Sequence, residues 1–117
     1  MDAYLNSADR LSEPITNSFI CNANSLTAEQ RSRSFDLLEI LKADRVEVQK
    51  LPDGFAFRYK TSPSIFGMVT EYVNYKRKCC SFYDFKVIHE NGSGHFWFQL
   101  TGRSGIQDVI REEFCVA

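Results

Sequence analysis

The organisation of the chain depends on one stretch, residues 71–85, which reads EYVNYKRKCCSFYDF. Its first residues have the spacing of an amphipathic helix, and a basic triplet then precedes two adjacent cysteines. Aromatic residues follow and lead into a strand. Reactive side chains, positive charge and a chain reversal coincide here, so every functional hypothesis starts from this junction.

Before the junction, the sequence predicts a helix and then a hairpin. Thr27 and Gln30 have the spacing of a capping box, so a helix should run from about 28 to 43. Its apolar stripe would consist of Phe35, Leu37, Leu38 and Leu41. Period-two alternation over 45–60 predicts an antiparallel hairpin, whose turn at 51–54 uses Gly54 to supply a positive φ.

The junction helix itself should begin at Ser62 and Pro63, a cap followed by a proline in the first turn. Gly67 within this helix would allow close packing against a neighbour. Helical spacing continues to Cys79 and Cys80, which would both lie near the buried edge of the last turn.

After the junction, strands at 85–90 and 95–101 flank a turn at 91–94, and a last amphipathic helix ends near Phe114. The order α-β-β-α-β-β-α predicts an α+β two-layer sandwich. In this fold a four-stranded antiparallel sheet, built from two hairpins, carries the helices on one face. Strand order stays open. We expect 19–117 to form a single domain and the polar, aperiodic residues 1–18 to form a mobile arm.

Overall charge gives no reason to expect a nucleic-acid or membrane partner. The chain has 14 basic and 15 acidic residues, a formal net charge of -1. It shows neither a secretory signal pattern nor an apolar run of the ~20 residues that span a bilayer. We therefore expect a cytoplasmic protein, whose four cysteines are thiols rather than disulfides.

Three cysteines form the main candidate site. Thiolates select soft ions, so Cys79 and Cys80, joined by Cys21 from a distant segment, would suit mercury or trivalent arsenic. The basic residues 76–78 could lower a thiol pKa, whereas the helix C-terminus opposes them. The alternative is that the cysteines only fill the core. Cys115 is interpreted as structural or incidental.

Other functions remain open at this point. The cysteines could be structural parts of a module that binds a protein partner or small ligand, and a thiol enzyme is the least favoured alternative. A base-stacking surface would use rings and cations of the junction and of the strands after it, namely Tyr72, Tyr75, Phe82, Tyr83, Phe85, Trp97, Lys76, Arg77, Lys78 and Lys86. His89 and His95 should lie near each other across the second hairpin, where with Glu90 they could bind an ion.

The junction also resembles a family of small bacterial proteins that carry an arginine-x-cysteine-cysteine-proline-phenylalanine motif. Residues 77–82 read RKCCSF, and residues 100–102 read LTG, which is similar to the ending of that family's last strand. The resemblance covers roughly 19–114, with Ser81 in place of the proline. Because such proteins are often encoded near mercury or arsenic resistance functions, the resemblance implies a thiol role.

Overall fold

Helices alternate with pairs of strands along the described part of the chain, residues 19–117 of this computed structural model. The elements are α1 (Ala28–Asp44), β1 (Glu47–Leu51), β2 (Gly54–Lys60), α2 (Pro63–Cys79), β3 (Asp84–His89), β4 (His95–Thr101) and α3 (Ile106–Phe114), with a short 3-10 helix (Ala23–Ser25) before α1. The arm predicted for residues 1–18 lies outside the described residues.

Local capping fixes the starts of both long helices, as the sequence predicts. The Thr27 hydroxyl accepts a hydrogen bond from the Gln30 amide at 3.1 Å, and the Gln30 side chain accepts one from the Thr27 amide at 3.0 Å. The Ser62 hydroxyl accepts from the Ile65 amide at 3.2 Å, just ahead of Pro63. These bonds satisfy backbone donors that a helix start otherwise leaves open.

The four strands form one antiparallel sheet in the order β1-β2-β4-β3. The central pair, β2 and β4, places Phe57 opposite Phe98 and Phe55 opposite Leu100. Side chains that alternate with these point to the other face, where Trp97 lies opposite Arg58.

All three helices pack on the sheet face that carries Phe57 and Phe98. Phe114 of α3 stacks on Phe57 at 4.8 Å between ring centroids, and Tyr72 of α2 meets Phe98 edge-on at 6.3 Å. The Tyr59 hydroxyl donates to the Leu41 carbonyl of α1 at 2.7 Å. The α+β two-layer architecture with helices on one face is therefore confirmed.

Three local predictions are wrong. Gly54 has no positive φ; instead, a Cβ there would overlap the Leu100 carbonyl of the adjacent strand. Gly67 serves no close packing, since a Cβ there would have no neighbour within 4 Å. Phe35 is 60% exposed because α1 buries the neighbouring stripe, which consists of Ser34, Leu37, Leu38 and Leu41.

Candidate thiol site

The two adjacent cysteines lie at the C-terminal end of α2. Cys79 is the last helical residue, and Cys80 is the C-cap, whose amide donates to the Lys76 carbonyl at 2.7 Å. Cys79 is 8% exposed and Cys80 is fully buried. The prediction that both lie near the buried edge of the last turn is confirmed.

Cys21 reaches this helix end from the first described segment. The Asn22 amide donates to the Cys79 carbonyl at 2.6 Å, and the ring of Phe19 meets that of Phe82 edge-on at 5.4 Å. These contacts place the Cys21 and Cys80 Cα atoms 4.6 Å apart, and the two residues form a disulfide. The separation lies within the range that a disulfide spans.

The expectation that the cysteines are thiols is thus wrong for Cys21 and Cys80 and right for Cys79 and Cys115. The Cys79 Sγ lies 3.6 Å from the Cys80 Sγ, so the sulfur atoms of three of the four cysteines form one cluster. Cys115 lies elsewhere, exposed, with its sulfur 3.7 Å from the Lys42 Nζ. The two cysteines of the disulfide differ in exposure: Cys21 is exposed to solvent and Cys80 is buried.

Lys76 provides a positive charge beside the sulfurs. Its Nζ lies 3.8 Å from the Cys80 Sγ and 2.5 Å from a Glu113 carboxylate oxygen. The side chains of this ion pair are only 12% and 18% exposed. The other two residues of the basic triplet, Arg77 and Lys78, are exposed. Lys76 is therefore the member of the triplet that the fold turns toward the cysteines.

Glu113 of α3 joins this pair to two buried phenols. Its carboxylate accepts from the Tyr83 hydroxyl at 2.6 Å and from the Tyr72 hydroxyl at 3.4 Å. Burial raises the pKa of both tyrosines well above the ordinary value, and the Glu113 charge raises it further. Both phenols therefore keep their protons at neutral pH and serve as donors to Glu113.

Sequence reasoning did not find Glu113. The available signal was its position three residues after Ile110, which places it beside the apolar stripe of α3. A shallow pocket of about 240 Å³ opens next to the ion pair, lined by Leu26, Arg31, Ser34, Phe35, Leu38, Lys76 and Glu113. Lys76, which lines this pocket, also lies 3.8 Å from the Cys80 sulfur through its Nζ.

The fold separates the two histidines and buries two of the rings proposed to stack bases. His89 pairs with Phe96 and therefore faces the helices, whereas His95 pairs with Lys60 on the opposite face. The prediction that the two histidines are neighbours is wrong because their positions differ by one step of the strand alternation. Of the rings proposed to stack bases, Tyr72 and Tyr83 are buried in the core.

Among residues 19–117, no group of three or more histidine, cysteine or acidic side chains is arranged to hold a metal ion. In the disulfide form, Cys79 is the one cysteine of the cluster that keeps its thiol. Within the same residues, no helix is long and apolar enough to cross a membrane. Comparison of the chain with protein-family models, with curated proteins and with solved structures gives no match.

Proposed function

We propose that the reduced protein binds a soft metal or metalloid ion through Cys21, Cys79 and Cys80. The observation that supports this function is that Cys21 lies against the adjacent pair Cys79 and Cys80. Cys21 is bonded to Cys80 across a sequence separation of 59 residues, and the Cys79 sulfur lies 3.6 Å from that of Cys80. Reduction of that disulfide leaves three thiols at one helix end. Thiolates are soft ligands and favour ions such as mercury(II) or trivalent arsenic.

The surroundings of the cluster suit an anionic thiolate group. Three thiolates around a divalent ion carry a net negative charge, and the Lys76 ammonium 3.8 Å from the Cys80 sulfur offsets part of it. The burial of Cys79 and Cys80 limits competition from water. The proposal includes a reducing location such as the cytoplasm, where the dithiol form persists.

The test is a titration of the reduced protein with mercury(II) and, separately, with arsenite. Protein reduced with a phosphine and freed of reductant would be followed by thiolate-to-metal absorbance. Wild type would be compared with Cys21→Ser, Cys79→Ser and the matched control Cys115→Ser, which removes a thiol outside the cluster.

We expect one ion per chain, unchanged affinity in Cys115→Ser, and an affinity at least roughly tenfold weaker in the other two variants, since each removes one ligand. Binding that depends on Cys115, or that is equally tight in all variants, would contradict the proposal. So would binding no tighter than that of a small monothiol.

The alternative interaction module receives less support. An open sheet face that carries Trp97 and other large rings would favour it. Trp97 does lie there, but its indole N–H donates to Glu90 and the Arg58 guanidinium lies 5.9 Å above its ring. The other large rings of the central strands are buried on the helix side, namely Phe55, Phe57, Tyr59, Phe96 and Phe98.

A further inference from the structure

We infer that the Cys21–Cys80 disulfide exchanges with low-molecular-weight thiols, with Cys21 as the sulfur that is attacked and Cys80 as the leaving group. This activity does not depend on metal binding, although it decides whether three free thiols exist. The inference rests on three observations: the unequal exposure of the bonded cysteines, the cation beside the buried one, and the neighbouring Cys79 thiol.

Exposure determines which sulfur an external thiolate can reach. Cys21 is exposed, on a segment at the edge of the fold, whereas Cys80 is fully buried at the end of α2. Exchange depends on access as well as on the leaving thiol. An external thiolate therefore attacks the Cys21 Sγ, and the bond to Cys80 breaks.

The broken bond leaves its electron pair on the Cys80 sulfur. A buried thiolate is costly, but the Lys76 Nζ lies 3.8 Å away and stabilises the negative charge. A leaving thiol stabilised as its anion departs faster. Lys76 therefore acts on the reacting sulfur itself, while Glu113 holds its ammonium in place at 2.5 Å.

The intermediate is a mixed disulfide between Cys21 and the external thiol. A second external thiolate attacks the external sulfur of this bond, which forms the oxidised small-molecule disulfide and releases the Cys21 thiolate. The net reaction joins two external thiols in a disulfide and reduces the protein disulfide to two thiols. The two protons that the external thiols lose are taken up by Cys21 and Cys80.

The opposing reaction restores the oxidised chain. Here the Cys80 thiolate attacks the Cys21 sulfur and expels the external thiolate. The Cys79 thiol lies 3.6 Å from the Cys80 sulfur, so it is placed to serve as a second internal nucleophile. The cysteine pair therefore limits the lifetime of the mixed disulfide.

The first experiment locates the mixed disulfide. Oxidised wild-type protein, with a chelator present, would react briefly with glutathione, be quenched in acid, alkylated, and mapped by mass spectrometry. We expect the glutathione adduct on Cys21 and the alkyl group on Cys80. An adduct on Cys80, or the absence of any adduct on Cys21 while the protein stays folded, would overturn the inference. Because no metal is present, the result is independent of the mercury and arsenite titrations.

The second experiment tests Lys76 by the rate of exchange. We expect Lys76→Gln to slow reduction by glutathione roughly 3- to 10-fold. Lys76→Arg keeps the charge and should retain most of the rate. Lys78→Gln is the matched control, because it removes an exposed charge of the same triplet and should leave the rate unchanged. Equal rates in Lys76→Gln and Lys78→Gln would overturn the role of Lys76.

Discussion

Glu90 accepts hydrogen bonds from three side chains near the turn between β3 and β4. The Arg58 guanidinium donates at 2.8 and 3.1 Å, the Ser93 hydroxyl donates at 2.5 Å, and the Trp97 indole also donates. These contacts favour the charged carboxylate. They lower the pKa of Glu90 from its ordinary 4.5 to about 2, with the Arg58 bond as the largest cause.

This low pKa predicts an acid-dependent contribution to stability. Because the folded-state pKa lies below the unfolded one, the contribution of Glu90 is complete above about pH 4.5 and is lost as the pH falls towards about 2. We expect Glu90→Gln to lower the free energy of unfolding at neutral pH, and its difference from wild type to shrink over that interval. Urea unfolding followed by circular dichroism at several pH values measures this.

Glu47→Gln is the control for the Glu90 experiment, since Glu47 meets the same Arg58 at 3.4 Å and is half exposed. We expect it to change stability little, as exposed ion pairs usually contribute little. If the free energy of unfolding of wild type exceeded that of Glu90→Gln by the same amount down to about pH 2, the assigned pKa would be contradicted.

The buried Tyr59 provides a second prediction for a single residue. Its ring lies in the core, its hydroxyl donates to the Leu41 carbonyl at 2.7 Å, and burial raises its pKa. Tyr59→Phe keeps the ring and removes the hydrogen bond, so we expect a loss of about 1 kcal/mol in the free energy of unfolding. Tyr75→Phe removes a more exposed bond to Glu71, 3.1 Å long, and should cost less in the same urea titration.

Two glycines show that the same substitution can have opposite effects in different elements. Gly54 begins β2, and a Cβ there would overlap the backbone of Leu100 and Thr101 in β4. Gly67 lies in α2, where a Cβ would have no neighbour within 4 Å. The effect on the unfolded chain is the same for both Gly→Ala changes, so the difference between them reports on the folded elements.

We expect Gly54→Ala to destabilise the protein by about 3 kcal/mol or more, because the central strand pair must move apart. Gly67→Ala should stabilise it by about 0.5–1 kcal/mol, because alanine is the better helix former. Thermal and urea unfolding of the two variants beside wild type measure both. A tolerated Gly54→Ala, or a costly Gly67→Ala, would contradict the packing described for that element.

The elements were predictable where their signals are local. The capping residues Thr27 and Ser62 bond to backbone groups three residues away, so spacing alone identifies the helix starts. The burial of single apolar residues was not predictable in the same way. Phe35 continues the helical pattern of α1, yet it is 60% exposed, because the docking angle of the helix decides which side of a stripe is buried.

The order of strands is a property of the whole molecule. Both hairpins show the same alternation in sequence, and this pattern is satisfied whichever hairpin edges meet. In the fold, β2 and β4 meet at the centre, and their residues 54–60 and 95–101 are far apart in the chain. Local patterns predict each hairpin, whereas the pairing between hairpins depends on how all three helices cover the combined apolar face.

The sequence predicts the residues of the candidate site but not the contacts between them, because those contacts depend on the whole fold. Soft-ligand chemistry selects Cys21, Cys79 and Cys80 as a set, and the fold brings their residues together. The disulfide was not predicted, because it depends on a Cα separation of 4.6 Å that only the docked first segment produces. The contact of Lys76 with Glu113 likewise requires α3 to lie against the end of α2.

The disulfide also ties the first described segment to the rest of the fold, across a sequence separation of 59 residues. Closing a loop of that length removes conformational freedom from the unfolded chain, which the chain-entropy model values at about 4 kcal/mol. We expect reduction of the wild-type protein to lower its free energy of unfolding by up to that amount. Urea titrations with and without a phosphine reductant measure the difference.

Two variants separate the disulfide from other effects of the reductant. Cys21→Ala cannot form the bond, so its stability without reductant should match that of reduced wild type. Cys115→Ser keeps the disulfide and should respond to reductant as wild type does, since Cys115 is a free thiol outside the cluster. If Cys21→Ala were as stable as the oxidised wild type, the bond would contribute nothing. The docking of the first segment would then depend on its noncovalent contacts, the Asn22–Cys79 hydrogen bond and the packing of Phe19 on Phe82.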